Sequence, residues 1–351
     1  MALVGNGFDI QVLNSYQQTT TTRYADFYFF MKMKNVDRSN LLLAEMEIAL
    51  TRGATDWSDI EACIGALEAR GADLQDIRTS LDEVRRHFSE FLSSVVSPTV
   101  LARLSDDAQA KRWGLKSLSE FLGDISTRSD LRKIPFGQRK GNYDFYNFYF
   151  VNFNYTALLD NYLFMDSEQF DPVPYSTVDT NFTFHTDPRG FGKEDGDGWN
   201  FRSSSYVEME VVHPHGYQDI PRSLLFGTNG DGDLRSRGAK LAKPYWARTD
   251  QRYGELFDQT SLFVVFGSSL GATDAWWWKR IRDALKTKPD IALLIYWWNS
   301  RSSSKATVDE VLTRFFEGAD VAAGDRSSLS ERICVVSYAD DEDRTWLNMR
   351  R

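Results

Sequence analysis

The chain has 351 residues, 42% of them hydrophobic and 14% aromatic, enough to bury a large core in one or two domains and to exclude wholesale disorder. A formal net charge of −9 argues against a general nucleic-acid binder, which needs clustered Lys and Arg for phosphate contacts. The two cysteines, Cys63 and Cys334, exclude a disulfide framework and a C-x-x-C zinc knuckle, and both read as buried thiols in apolar segments.

Met1 to Val4 read as a short strand that ends in a glycine turn, Gly5-Asn6-Gly7-Phe8-Asp9. Gly5 and Asp9 also stand where the apolar stretch of an export signal would lie, so a cytoplasmic location is expected. Residues 10–25 are polar and contain the run Thr19 to Thr22, which reads as a loop over a site. From Asp26 to about Pro135 the pattern is helical. Leu81, Val84, Phe88, Phe91, Leu92 and Val95 recur at helical spacing behind a candidate N-cap, Ser80. Leu41 to Leu43, and Ile60, Ile64 and Leu67, fit two earlier helices. Residues 26–145 are therefore expected to form an inserted α-helical subdomain, interrupting a main domain made of residues 1–25 and 146–351.

Strand character returns at residues 148–153 and is followed by a helix over 156–163. Residues 186–205 are rich in Gly, Asp and Ser and read as a mobile surface loop. Short strands are expected over 211–213 and 224–226. Strand and helix then alternate: strand 262–266, helix 274–285, strand 291–298, helix 308–316, strand 333–336. The apolar run 291–298 is too short to span a bilayer. Alternation of this kind predicts an α/β fold with a mainly parallel sheet flanked by helices.

Four short segments stand at the ends of expected strands: Gly5 to Asp9, Phe153-Asn154-Tyr155-Thr156, His213-Pro214-His215-Gly216, and Gly267-Ser268-Ser269-Leu270-Gly271-Ala272-Thr273-Asp274. In an open parallel sheet, ligands bind beyond the carboxyl ends of the strands. Small-residue turns there leave backbone N–H groups aimed at one point, which suits an anion. Each segment also has a plain structural reading. Gly5 and Gly7 suit a bare tight turn, because Ile10 breaks a full G-x-G-x-x-G. Asn154 suits a helix cap. His215 suits a hydrogen-bonded core residue, and a His-x-His pair can also bind metal, although no second His/Cys cluster completes a zinc site. The acidic loops at 195–198 and 229–233 miss EF-hand spacing, Gly192-Lys193 lacks the rest of a Walker A motif, and Leu270 breaks a G-x-S-x-G elbow. The run Trp276 to Trp278 suits packing, or stacking on a base.

Taken in order, these segments resemble the AbiH family of bacteriophage abortive-infection proteins, together with Thr22 to Phe27, Trp57-Ser58-Asp59-Ile60-Glu61, His215-Gly216 and Leu225-Phe226-Gly227. The same skeleton is similar to a remote sirtuin: a glycine turn, an Asn after a strand, a His-Gly, and a Gly-Ser-Ser-Leu turn. The zinc ribbon is absent, Thr156 replaces the acidic residue that sirtuins keep after the Asn, and Asp9 replaces a small residue. These departures argue against a deacetylase and leave an NAD pocket with nicotinamide-cleaving chemistry. The resemblance implies a sirtuin-like Rossmann-type domain that consumes NAD+ and needs no metal. It assigns Asn154, His215 and Asp9 to catalysis. It places Gly5, Asn6, Gly7, Phe8, Thr22, Tyr24, Phe27, Gly216, Gly227, Gly267, Ser268, Ser269, Leu270 and Asp274 around the dinucleotide. It further implies antiphage defence, with a homo-oligomer or a defence-system partner as the means of control. A binding-only sensor and an ADP-ribosyltransferase are the alternatives.

Overall fold

The apolar runs of the sequence become the buried strands of one sheet. The computed structural model describes residues 1–36, 39–135, 143–164, 182–191, 202–228, 241–243, 247–300, 305–339 and 344–349. Within these, β1 (Ala2–Val4), β2 (Phe145–Asn152), β3 (Phe182–His185), β4 (Arg202–Val212), β5 (Leu262–Phe266), β6 (Ala292–Trp298) and β7 (Ile333–Tyr338) lie in the order β3-β4-β2-β1-β5-β6-β7. Every neighbouring pair is parallel except β3 and β4. The chain leaves β1 toward β2 and β4 on one side and returns to β5 on the other, so the direction of winding reverses between β1 and β5. Leu3 sits level with Val151 of β2 and Val265 of β5. β1 and β5 are buried at every position, as expected of inner parallel strands covered on both faces.

Helices cover both faces. Before β2 come α1 (Gly7–Ser15), α2 (Tyr24–Met33), α3 (Leu41–Thr51), α4 (Ile60–Ala69), α5 (Leu74–Val95), α6 (Pro98–Lys111), α7 (Trp113–Glu120) and α8 (Arg128–Arg132). After it come α9 (Leu158–Leu163), α10 (Thr249–Gln259), α11 (Ala275–Thr287), α12 (Val308–Gly318) and α13 (Arg326–Ser330). Phe27, Phe88 and Phe91 of the early helices share one core with Val4, Phe150, Phe266 and Tyr296. Leu3, Val151, Phe263 and Val265 point the other way and pack with Tyr253, Trp278, Ile281 and Phe315. This is the period-two alternation of a strand.

Several expected boundaries move. Residues 10–25 are not one loop, because α1 continues to Ser15 and α2 begins at Tyr24. Phe8 and Val12, one helical turn apart, are fully buried. Ser80 does not begin a helix: α5 starts at Leu74, where Asp73 Oδ1 accepts from the Gln75 N–H at 2.7 Å. Ser80 lies inside α5 and its Oγ accepts from the Leu41 N–H at 3.1 Å, tying down the start of α3 instead. The strand expected over 211–213 starts at Arg202, because β4 pairs with β3 on one edge and with β2 on the other. Residues 224–226 form no strand; Leu225 donates one backbone hydrogen bond to His215 at 2.8 Å. Residues 192–201 of the expected surface loop, and the acidic loops at 195–198 and 229–233, lie outside the described residues.

The glycine turns after β1 and β5 touch backbone to backbone. A Cβ on Gly7 would stand 2.7 Å from Gly267 Cα, and Gly267 itself has φ +67°, a conformation that costs a side chain. Gly7→Ala is expected to destabilise the fold by about 1–3 kcal/mol through overpacking against rigid backbone. The check is a lowered midpoint in urea unfolding. An unchanged midpoint would mean that the two turns separate freely.

Candidate functional site

A cavity of about 630 Å³ opens where the winding reverses, beyond the carboxyl ends of β1, β2, β5 and β6. That volume lies within the range of small-molecule sites. Its lining includes Gly5, Asn6, Gly7, Asp9, Thr22, Tyr24, Asn154, His215, Gly267, Ser268, Ser269 and Asp274. Four segments far apart in sequence thus meet at one place. The other expected lining residues do not face it. Phe8 packs edge-on against Tyr162 at 5.5 Å and Phe27 against Phe88 at 4.9 Å. Leu270 is buried on the opposite face of the sheet. Gly216 and Gly227 press against the carbonyls of Ser223 and Leu241. These five serve packing and close backbone approach. Trp277 and Trp278 likewise belong to the core.

The two turns differ in what their N–H groups do. Gly5 N–H donates to the Phe266 carbonyl at 2.8 Å, Gly7 N–H to that of Gly267 at 2.9 Å, and Phe8 N–H to that of Gly5 at 3.1 Å. The Gly5–Gly7 turn is therefore engaged with its neighbour, and its glycine N–H groups cannot hold an anion. In the second turn, the N–H groups of Ser268 and Ser269 have no hydrogen-bond partner among the described residues, while Ser268 Oγ accepts from the Leu270 N–H at 3.1 Å. Left-handed Leu270 and a short 3-10 turn, Ala272–Asp274, separate these residues from the start of α11, so their N–H groups belong to the turn itself. Any anion-binding capacity thus lies at Ser268 and Ser269. Asn6 ties the connection before α2 over the site: its Oδ1 accepts from Thr22 Oγ1 at 2.5 Å, and its Nδ2 donates to the Thr22 carbonyl at 3.1 Å.

Asn154 is not a helix cap, since α9 begins only at Leu158. Its Nδ2 donates to the Gly5 carbonyl at 3.2 Å, and its Oδ1 is buried without a partner among the described residues. Asp9 is 1% exposed. One of its oxygens accepts from Thr156 Oγ1 at 2.7 Å and the other is buried and unpartnered. Burial pushes its carboxyl up to about 7, against the opposite pull of the Thr156 hydroxyl. Thr156 thus positions Asp9.

The two histidines of the His-x-His pair part ways. His213 bridges the Asn154 carbonyl, 3.1 Å from Nδ1, and Asp160, 3.1 Å from Nε2. Against the effect of burial, Asp160 holds it above the usual histidine value. It braces the Asn154 turn. His215 lines the cavity, stacked on Phe153 at 5.1 Å with 16° between the rings. Burial, helped by nearby Lys243, pushes its imidazole down to about 3, against Asp274 and a backbone hydrogen bond with Phe153. Its Nε2 lies 3.4 Å from Asp274. Lys243 Nζ, also buried, lies 3.5 Å from the same Asp274 oxygen and pairs with Glu61 on α4. Burial would lower the ammonium, but Asp274 and Glu61 hold it above its usual value; burial raises Glu61 to about 7 against the pull of Lys243.

Lys243 was not legible as a site residue, and Glu61 stood out only as the last residue of the family segment Trp57 to Glu61. An acidic residue in a first helical turn is ordinary, and nothing in sequence separates Lys243 from a surface lysine. Among the described residues, no group of three or more His, Cys, Asp or Glu side chains could hold a metal ion, and no helix is long and apolar enough to cross a membrane.

A family model described as "Bacteriophage abortive infection AbiH" matches residues 1–296. No curated protein and no solved structure matches the chain.

Proposed function

Because the chain belongs to the AbiH family of bacteriophage abortive infection, we propose that it serves antiphage defence by hydrolysing NAD+ to nicotinamide and ADP-ribose in this cavity. The observation that carries the reading is a pair of buried oxygens without partners among the described residues, Asn154 Oδ1 and Asp9 Oδ1, on two residues that line the same cavity as His215. Buried polar atoms are normally paired, so two orphans in one cavity ask for a polar ligand. The parallel strands, counted along the chain, run 3-2-1-4-5-6 across the sheet, the order of dinucleotide-binding folds, in which the ligand crosses the reversal point. This order supports the sirtuin-like Rossmann reading of the sequence.

In this reading the N–H groups of Ser268 and Ser269 take the diphosphate, as in the anion-binding concavities that backbone turns form. The adenosine end extends toward Trp297, Trp298 and Arg314, which line the far wall. The nicotinamide ribose lies at Asn154, whose amide, anchored on Gly5, accepts from a ribose hydroxyl. As the C–N bond breaks, nicotinamide leaves neutral with the bonding pair and the ribose carbon gains positive charge. Ionised Asp9 opposes that charge. Water adds to the carbon and releases its proton to solvent; His215, unprotonated at cellular pH, orients that water, and its low value makes it too weak a base to carry the proton away.

Incubating the purified protein with NAD+ and measuring free nicotinamide, with and without lysate of phage-infected cells, tests the proposal. Release in either condition is expected. Calorimetric binding of NAD+ without release in both would replace it with a sensor, and label retained on protein or nucleic acid would replace it with ADP-ribose transfer. Release only with lysate would assign control to a partner or an assembly.

A further inference from the structure

We propose that Lys243 is a positioning residue that engages Asp274, so that the carboxylate next to His215 is neutralised by an ammonium and the imidazole stays uncharged. This rests on the reading of His215 as the group that orients water in the site. A histidine 3.4 Å from a lone buried carboxylate is drawn toward the imidazolium form, because an opposite charge at that range favours protonation. Such a ring would place a positive charge beside the developing ribose cation. Here the carboxylate has a second suitor. Lys243 Nζ stands 3.5 Å from the same Asp274 oxygen, and its side chain is 6% exposed.

The ammonium is itself held from the far side. Glu61, also 6% exposed at its side chain, pairs with Lys243 from α4, so the helical layer supplies one end of the network. The backbone of Lys243 is tied by its N–H to the Thr228 carbonyl at 2.8 Å. The other titratable groups facing this cluster are Asp59 on α4, Tyr24 on α2 and Tyr155 after β2. Asp59 Oδ1 caps α4 through the Glu61 N–H at 2.9 Å. Tyr155 donates its hydroxyl to the Leu225 carbonyl at 3.0 Å. Lys243 is therefore the group whose charge reaches both carboxylates. Breaking a buried ion pair by removing one partner is costly, so the network also locks the 241–243 segment against the cavity.

The test is a histidine titration by NMR, using labelled imidazoles in the ligand-free protein and a His215→Gln variant to assign the signal. In the wild type, His215 is expected to stay neutral down to at least pH 5. Lys243→Met with Glu61→Gln removes the ammonium without stranding a second carboxylate, and should raise the His215 midpoint by at least about one pH unit. Lys243→Arg, which keeps the charge, should restore the neutral ring. A folded double variant with a wild-type His215 titration would overturn the proposal. If the double variant does not fold, the wild type decides: a His215 midpoint near the ordinary 6.5 would equally overturn it. None of these readings requires NAD+, so this inference and the hydrolase reading can fail separately.

Discussion

His215→Ala and Asn154→Ala are each expected to lower nicotinamide release by about 10²-fold, the scale for misplaced reactants. The fold should survive both. His215→Ala leaves the Lys243–Asp274 and Lys243–Glu61 pairs in place. Asn154→Ala removes one buried hydrogen bond to Gly5, while His213 still grips the Asn154 carbonyl. Such a bond is worth about 0.5–1.5 kcal/mol. The two variants should differ in kind. Without Asn154 the ribose loses its orientation, so both substrate binding and turnover should suffer. Without His215 the dinucleotide should still bind, because the turn at Ser268 and Ser269 is untouched. Thermal unfolding, NAD+ calorimetry and nicotinamide release on the same preparations separate these outcomes. Full turnover in both variants would remove the assigned roles.

Asp9→Asn is expected to stabilise the protein at high pH while lowering turnover. The Asp9 carboxyl is raised from 3.8 to about 7 by burial. A group whose folded value lies above its unfolded one favours folding fully at pH below the unfolded value and loses that contribution as pH rises through the folded one. Stability from Asp9 is thus present below about pH 4 and lost between about pH 4 and 7. Above pH 7 the wild type must hold a buried charge that the unfolded chain would give to water. Asparagine removes that cost and still accepts from Thr156. At pH 8 the variant should be more stable by on the order of 4 kcal/mol, and at pH 4 the two proteins should be nearly equal. The experiment is urea unfolding of both proteins across this range. A variant equally or less stable at pH 8 would mean that Asp9 is not strained by its position. A strained, buried, half-unpartnered carboxylate is the sort of local cost that functional sites tolerate.

Much of the sheet was legible because its inner strands are continuous apolar runs. Leu262–Phe266 is buried at every position, a pattern few other elements produce. Gly5, Gly7, Asn154, His215, Gly267, Ser268 and Ser269 stood out as small or polar residues where such runs stop, and the cavity gathers them. What each does was harder to read. Gly5 and Gly7 look like a phosphate turn in sequence, yet their N–H groups bond the neighbouring backbone; only the fold reveals that the second turn is the open one. β4 was mostly missed because Arg202 to Ser205 are polar edge-paired residues, whose strand state depends on partners distant in sequence. Lys243 carries no local signal, since its burial depends on Glu61 and Asp274, placed around it by tertiary structure alone.

The central claim is that one dinucleotide lies across the reversal point with its nicotinamide ribose between Asn154 and His215. A crystal structure with a carbocyclic NAD+ analogue, which lacks the ring oxygen needed to stabilise the developing cation, tests it most directly. The diphosphate should sit on the N–H groups of Ser268 and Ser269, with the nicotinamide-side ring within hydrogen-bonding reach of Asn154 Oδ1. An analogue bound outside this cavity, or a cavity still empty at saturating analogue, would contradict the account.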